Sequence, residues 1–338
     1  GVQIDSIYPA SGRPRLAYYA ALHSVAGDWS SLRSVLVFRN GLTRRRRAAL
    51  VKQQAVALGV DRVLHTGSFD LPVAAGDTAR HYLYCDHTWN LAAQFWPDDD
   101  RLSPRALTHF EALEAETYAG LQHIFTFGSY VRQNLIDHYG VPADRVTAVG
   151  SGMGQIEPFT GPKDYQHGHL LFVAKHLFRN KGGLLLLDAF ARARRRRPDL
   201  QLVVVANQRD LPASERDDGI RVVNSLPWHI LQGLYRSAAL LVQPMLNDPW
   251  GQVYLEALAS RTPVMGLDRN GLPEIVDNDR HGFLVREPDP ELFAQAILEA
   301  MSDPDRLAAM GGRGQQHVIE NYSWRRVAES IVRTIEAE

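Results

Sequence analysis

The stretch "LLFVAKHLFRNKGGLLLLDAF" (Leu170–Phe190) passes through three patterns in quick succession. An unbroken apolar run reads as a buried strand. A loop follows that holds Lys175, Lys181, Gly182 and Gly183, and a helix-patterned segment closes the unit. The same alternation recurs on both sides. Strand-like runs "SVLVFRN", "DRVLHTG", "HYLYCD", "HIFTFGS" and "RVTAVGSG" precede it, and "LQLVVVAN", "IRVVNS", "ALLVQPM" and "TPVMGLD" follow it. Helix-patterned segments such as "RRRRAALVKQQAVALG" lie between them. This order predicts an α/β protein with parallel sheets covered by helices on both faces. The segment "SGMGQIEPFTGPKDYQHGH" (residues 151–169), rich in Gly and Pro, separates two groups of strands. Beyond Pro290 the pattern is helical to Glu338. Two doubly wound domains with a cleft between them are expected, with ligands at the carboxyl ends of strands.

A chain of 338 residues with 45% hydrophobic content has the size for two such domains. Its formal net charge of -1 argues against a dedicated nucleic-acid binder, which carries a basic excess. No apolar run reaches the roughly 18 residues that span a bilayer, and the opening "GVQIDSIYPASGRPR" lacks the layout of a secretory signal. A cytoplasmic location is therefore expected. Cys85 is alone, which leaves no partner for an internal disulfide, and its place between "HYLY" and Asp86 suits a buried structural thiol. Two arginine clusters, Arg44 to Arg47 and Arg192 to Arg197, fall in helix-patterned segments. A solvated face is the simpler reading, and weak attachment to a membrane surface through Arg44 to Arg47 is the alternative.

The chain has only four lysines, Lys52, Lys163, Lys175 and Lys181, and two of them share one loop. Cations six apart at a strand end, followed by glycines, suit a diphosphate: two positive charges and close backbone approach. The turn "DRNGLPEIV" places Asn270 and Gly271, residue types that tolerate positive φ, before a helix entered at Pro273, where consecutive N–H groups can cap a phosphate. In "NDPWGQVYLEALAS", Asp248 and Glu256 are eight apart, so they do not share a helix face as an i, i+4 pair would. If a loop ends at Gly251, Asp248 sits before the helix mouth and Glu256 one turn in. Cations and amides for a diphosphate, one carboxylate for vicinal hydroxyls and a second for another polyol together match a nucleotide sugar.

These stretches, with "LYRSAALLVQP" and "GFLV", resemble the retaining glycosyltransferases of family 4, which have the GT-B fold of two Rossmann-like domains. The resemblance is strong from about residue 168 to 330. It implies an acceptor-binding domain over 1–160, joined by a returning helix at about 322–338, and a donor-binding domain over 161–321. Lys175 stands where the family has Arg and Lys181 matches its Lys, both to neutralise the diphosphate leaving group. Glu256 is implied to bond the ribose hydroxyls and Asp248 the donor sugar. Gly251, Asn270, Gly271 and Leu272 are implied to line the donor, with Gly271 and Leu272 offering backbone amides. Asp248 replaces a usual Glu, Ala174 a usual Gly, and "VVVANQRD" lacks the family's Gly pair.

In the N-terminal half, Asp86 and His87 end a strand where family members present a His or Asp near the anomeric carbon. His65 is a weaker candidate. Gly12, in "YPASGRPR", falls where the family has a Gly-rich loop. The resemblance implies same-face transfer of a sugar to an acceptor hydroxyl, in bacterial polysaccharide, glycolipid or glycosylated metabolite assembly. No cofactor and no metal are expected, because the two lysines supply the countercharge. Two other readings remain open here. One is another GT-B enzyme, an epimerase or inverting transferase, and the other is a non-catalytic nucleotide-sugar-binding subunit.

Overall fold

The computed structural model describes residues 41–67, 72–94, 104–175, 177–211, 219–224 and 226–338. Gly12 and the expected strand "SVLVFRN" lie outside the described residues. The chain divides between Ala148 and Val149 into two compact units.

The first unit holds a sheet of β1 (Arg62–Thr66), β2 (Arg80–Cys85), β3 (His123–Thr126) and β4 (Val146–Ala148), in that order and all parallel. Its helices are α1 (Gly41–Leu58), α2 (Trp89–Gln94), α3 (Pro104–Gly120) and α4 (Ser129–Asp137). Strand-to-helix crossovers are what parallel pairing requires. Leu83, Cys85, Ile124, Val131, Leu135 and Val146 form its core, so the single thiol is a packing residue. Arg44 is buried and donates to the Leu113 carbonyl at 2.6 Å and to Thr117. Burial thus takes Arg44 out of any surface patch and leaves Arg45 and Arg46 as the exposed members of that cluster.

The second unit has a six-stranded parallel sheet in the order β10-β9-β8-β5-β6-β7. In chain order its elements are β5 (His169–Ala174), α5 (Gly183–Arg196), β6 (Leu202–Ala206), β7 (Ile220–Val223), α6 (Trp228–Ser237), β8 (Ala238–Val242), α7 (Gln252–Ala259), β9 (Val264–Leu267), α8 (Leu272–Ile275) and β10 (Gly282–Val285). Helices α9 (Pro290–Met301), α10 (Pro304–Asn321) and α11 (Trp324–Ala337) follow and belong to the same unit. Strands β6 and β8 are buried along their whole length, as expected of Val- and Leu-rich strands with helices on both faces. Asp289 and Asp303 cap α9 and α10 by accepting N–H groups of the first turn, and each is followed by Pro at the first helical position. Along α5, Arg192 and Arg196 pair with Glu291, so the second arginine cluster is a solvated, salt-bridged face.

The strand order sets the position of the site. From β5 the chain winds outward through β6 and β7, then returns to β8 on the other side of β5 and winds the opposite way. At such a reversal the loops leaving the two central strands diverge, and a crevice opens at their carboxyl ends. Here those loops are the lysine loop after β5 and the Asp248 loop after β8. Among the described residues no helix is long and apolar enough to cross a membrane.

Candidate functional site

The loop after β5 turns back through Gly182, whose φ of 84° is left-handed and whose Cβ would lie 2.6 Å from Pro244. It is bonded to the loop after β8: Met245 N–H donates to the Lys181 carbonyl at 3.0 Å and Asn247 N–H to the Asn180 carbonyl at 2.8 Å. Gln243, fully buried at the end of β8, accepts the Val173 N–H at 2.9 Å and fixes where the two strands part. This stitching brings Lys181 Nζ to 3.1 Å from Asp248 Oδ2, with both side chains about a fifth exposed at 18% and 21%. Lys175 is exposed at the end of β5, with Nζ 6.0 Å from the centre of the Trp228 ring.

Helix α7 begins after Gly251, which takes φ 78° and ψ 65°, and its Cβ would meet the Tyr254 ring at 2.6 Å. Asp248 therefore precedes the helix and Glu256 lies inside it. Glu256 Oε2 accepts a 2.6 Å hydrogen bond from the Tyr235 hydroxyl of α6. Burial raises the Glu256 carboxyl above its ordinary value, while the Tyr235 hydrogen bond, Lys175 and Lys181 pull it down. Both lysines thus act electrostatically on the same carboxylate. Tyr235 is fully buried and held protonated by that burial and by the Glu256 charge, so it is a permanent donor.

The turn after β9 closes the far side. Asn270 takes φ 55° and donates from its carboxamide to the Asp248 carbonyl at 3.3 Å. The Gly271 N–H donates to the Pro249 carbonyl at 3.0 Å. That amide is occupied within the protein, contrary to its expected role as a phosphate donor. The Leu272 N–H, at the first turn of α8, has no acceptor among the described residues. Gly271 is needed for another reason: its Cβ would sit 2.6 Å from the Trp250 ring.

Lys175, Lys181, Asp248, Glu256, Gly251, Asn270, Gly271 and Leu272 all fall in the second unit, around the strand reversal. Asp86 and His87 follow β2 in the first unit, where Tyr130 donates to the Asp86 carbonyl at 3.1 Å. His65 Nε2 lies 2.9 Å from His81 Nδ1, and His81 Nε2 lies 3.2 Å from Asp77 Oδ2, so it belongs to a buried polar chain. Among the described residues no three His, Cys, Asp or Glu side chains converge as metal ligands would.

The sequence reading missed Tyr235 and a cavity of about 570 Å³ beside Lys175. Leu177 lines it after β5, Ala206 at the end of β6, Asn207 and Asp210 after β6, and Asn224 after β7. For the cavity, the signal that could have found it is position, since Asn207 and Asn224 directly follow strands at their carboxyl ends and Asp210 lies one short turn further on.

A family model described as Glycosyl transferases group 1 matches residues 167–303. An alpha-maltose-1-phosphate synthase of Mycolicibacterium smegmatis is 34% identical over 173 residues, 46% of this chain and 44% of that protein. A D-inositol 3-phosphate glycosyltransferase of Corynebacterium kroppenstedtii is 29% identical over 225 residues, 59% of this chain and 50% of that protein. The chain spans about half the length of the curated relatives it matches. Among solved structures, a sucrose-phosphate synthase from Thermosynechococcus elongatus is similar with a TM-score of 0.70 at 16% identity, covering 87% of this chain and 78% of that one. A UDP-forming α,α-trehalose-phosphate synthase from Burkholderia xenovorans has a TM-score of 0.69 at 14% identity, covering 96% and 85%. These likenesses show the fold, α/β of the GT-B kind.

Proposed function

We propose that the protein is a retaining glycosyltransferase that moves a sugar from a nucleoside-diphosphate donor to an acceptor hydroxyl. One observation carries the reading. At the reversal point of the second sheet, Lys181 is paired with Asp248, and both lysines act on a half-buried Glu256. A diphosphate needs the cations, a ribose the vicinal acceptor Glu256, and a sugar the acceptor Asp248. The family match over 167–303 and the glycosyltransferases among the relatives support the same class.

In this reading the diphosphate binds between Lys175 and Lys181, with the Leu272 N–H as a further donor. As the bond from the anomeric carbon to the diphosphate oxygen breaks, negative charge grows on that oxygen. The two ammonium groups are fixed where it develops, which lowers the barrier without reorganisation. Asp248 is the shorter acid and is already tied to Lys181, so sugar and diphosphate share one electrostatic unit. The acceptor loses its proton to the leaving oxygen on the same face, and the new bond forms with retention. The lysines make a divalent cation unnecessary, and peripheral attachment to a cytoplasmic membrane face through Arg45 and Arg46 is compatible with the reading.

Incubation with a panel of nucleotide sugars, followed by proton NMR of the product's anomeric centre, tests this. Transfer or donor hydrolysis with retained configuration, insensitive to EDTA and lost in Lys181→Ala, is expected. Nucleotide-sugar binding without turnover across phosphorylated and free sugar acceptors would leave a binding subunit, and inverted product would overturn the retaining assignment.

A further inference from the structure

The cavity beside Lys175 presents an unusual set of hydrogen-bonding groups, and its chemistry selects among nucleobases. Three of its polar members are fixed by the backbone. The Asn207 carboxamide oxygen accepts the Arg209 N–H at 3.1 Å, and the Asn224 carboxamide oxygen accepts the Gln208 N–H at 2.9 Å. With both oxygens used, each carboxamide has its NH₂ left to offer. Asp210 ends the 3₁₀ turn that starts at Gln208, and its own N–H donates to the Asn207 carbonyl at 2.9 Å. Its carboxylate makes no hydrogen bond or ion pair with any described residue. The cavity therefore pairs one pure acceptor, fixed on a short turn, with two donors whose orientation is set. Exposed Leu177, held at φ 58°, supplies an apolar surface at its edge.

Resting on the nucleotide-sugar reading above, we infer that this cavity takes the donor's base and that the base is guanine, with Asp210 as the specificity-determining residue. A carboxylate has only lone pairs to present, so it is matched by an edge with two adjacent N–H donors. Guanine has that edge in N1–H and the N2 amine, and its O6 and N7 acceptors suit the Asn207 and Asn224 NH₂ groups. Uracil and thymine place a carbonyl oxygen on each side of a single N3–H, so their lone pairs would face the carboxylate. Adenine places the N1 lone pair beside its amine. Discrimination then comes from repulsion of the wrong base as well as attraction of the right one.

Titration calorimetry of the full chain with GDP, IDP, UDP and ADP reads the idea directly. GDP is expected to bind about tenfold more tightly than the others, the low end of the range for hydrogen bonds to a charged group, because Asp210 is exposed to water. IDP lacks only the N2 amine, so the GDP/IDP ratio isolates one of the two bonds without any substitution. Asp210→Asn should abolish that ratio and, by removing the repulsion, leave UDP binding as tight or tighter. Binding led by UDP or ADP, or a GDP/IDP ratio near one, overturns the guanine assignment and leaves the donor reading standing. No binding by any nucleoside diphosphate overturns both.

Discussion

Replacing Tyr235 by Phe removes one hydroxyl and keeps the ring, so it isolates the hydrogen bond that Glu256 receives. That bond is 2.6 Å long, fully buried on the tyrosine side, and ends on a carboxylate. Bonds of this charge-assisted kind contribute about 1.5–3 kcal/mol. At about 1.4 kcal/mol per unit, losing it moves the Glu256 pKa up by roughly one to two further units. The sign is fixed by the direction of the native shift. Glu256 is already raised above its ordinary 4.5, so the folded chain holds its proton to higher pH than the unfolded chain does. Its contribution to stability is fully present below 4.5 and declines as pH rises through the folded value, and the variant extends that decline to higher pH. On the proposed function donor binding follows the opposite trend, because the ribose hydroxyls would donate to the ionised carboxylate. Calorimetric titration with the preferred nucleoside diphosphate from pH 5 to 9 should show the acid limb of affinity displaced upward by about one to two pH units in Tyr235→Phe. Affinity at the alkaline end should return close to that of the parent, with kcat at saturating donor little changed. A loss of the same size at every pH would mean the hydroxyl serves packing alone, and the argument for Glu256 as the ribose acceptor would lose its support.

Other consequences can be checked alongside it. Lys181→Ala frees Asp248 and removes the cation proposed to hold the diphosphate, so donor affinity should fall roughly 10- to 100-fold while Tm changes little; unchanged affinity would move the diphosphate elsewhere. Gly271→Ala has an ordinary φ of -77° but drives a methyl to 2.6 Å from the Trp250 ring and 3.2 Å from the Pro249 carbonyl oxygen. It should cost about 1–3 kcal/mol in chemical denaturation, and a cost under about 0.5 kcal/mol would show that the turn yields easily. Lys163→Met withdraws the ammonium that donates to the Tyr235, Arg236 and Ser260 carbonyls, joining the ends of α6 and α7. Denaturant unfolding should show a loss of at least about 2 kcal/mol, and a neutral result would mean water replaces the ammonium freely.

How much could be read beforehand depended on whether the cause was local. The apolar runs of β5, β6 and β8 are unbroken because those strands are buried on both faces, so they stood out in the sequence. The lysine loop and the acid pair were legible for a similar reason, being dense clusters of few residue types. "GFLV" was noted as a family stretch but not as β10, since four residues between a turn and a capped helix give too short a period to count. Tyr235 sits in α6 where an apolar helix face expects a large side chain, and its bond to Glu256 spans 21 positions. Asn207, Asp210 and Asn224 are scattered polar residues that only the strand order assembles. The occupied amide of Gly271 depended on the Pro249 carbonyl approaching from another loop, which no turn pattern foretells.

The two hydrogen bonds from Met245 and Asn247 to the lysine loop also bear on how this chain can be recombined. Residues 175–183 and 243–251 are separated by three strands and two helices in sequence, yet they form one mechanical block. A crossover placed between them would join a cation loop of one parent to an acid loop of another, with mismatched carbonyl and amide spacings. Chimaeras that carry both segments from a single parent should keep the Lys181–Asp248 pair, and libraries built to exchange donor preference are best cut outside the pair of loops.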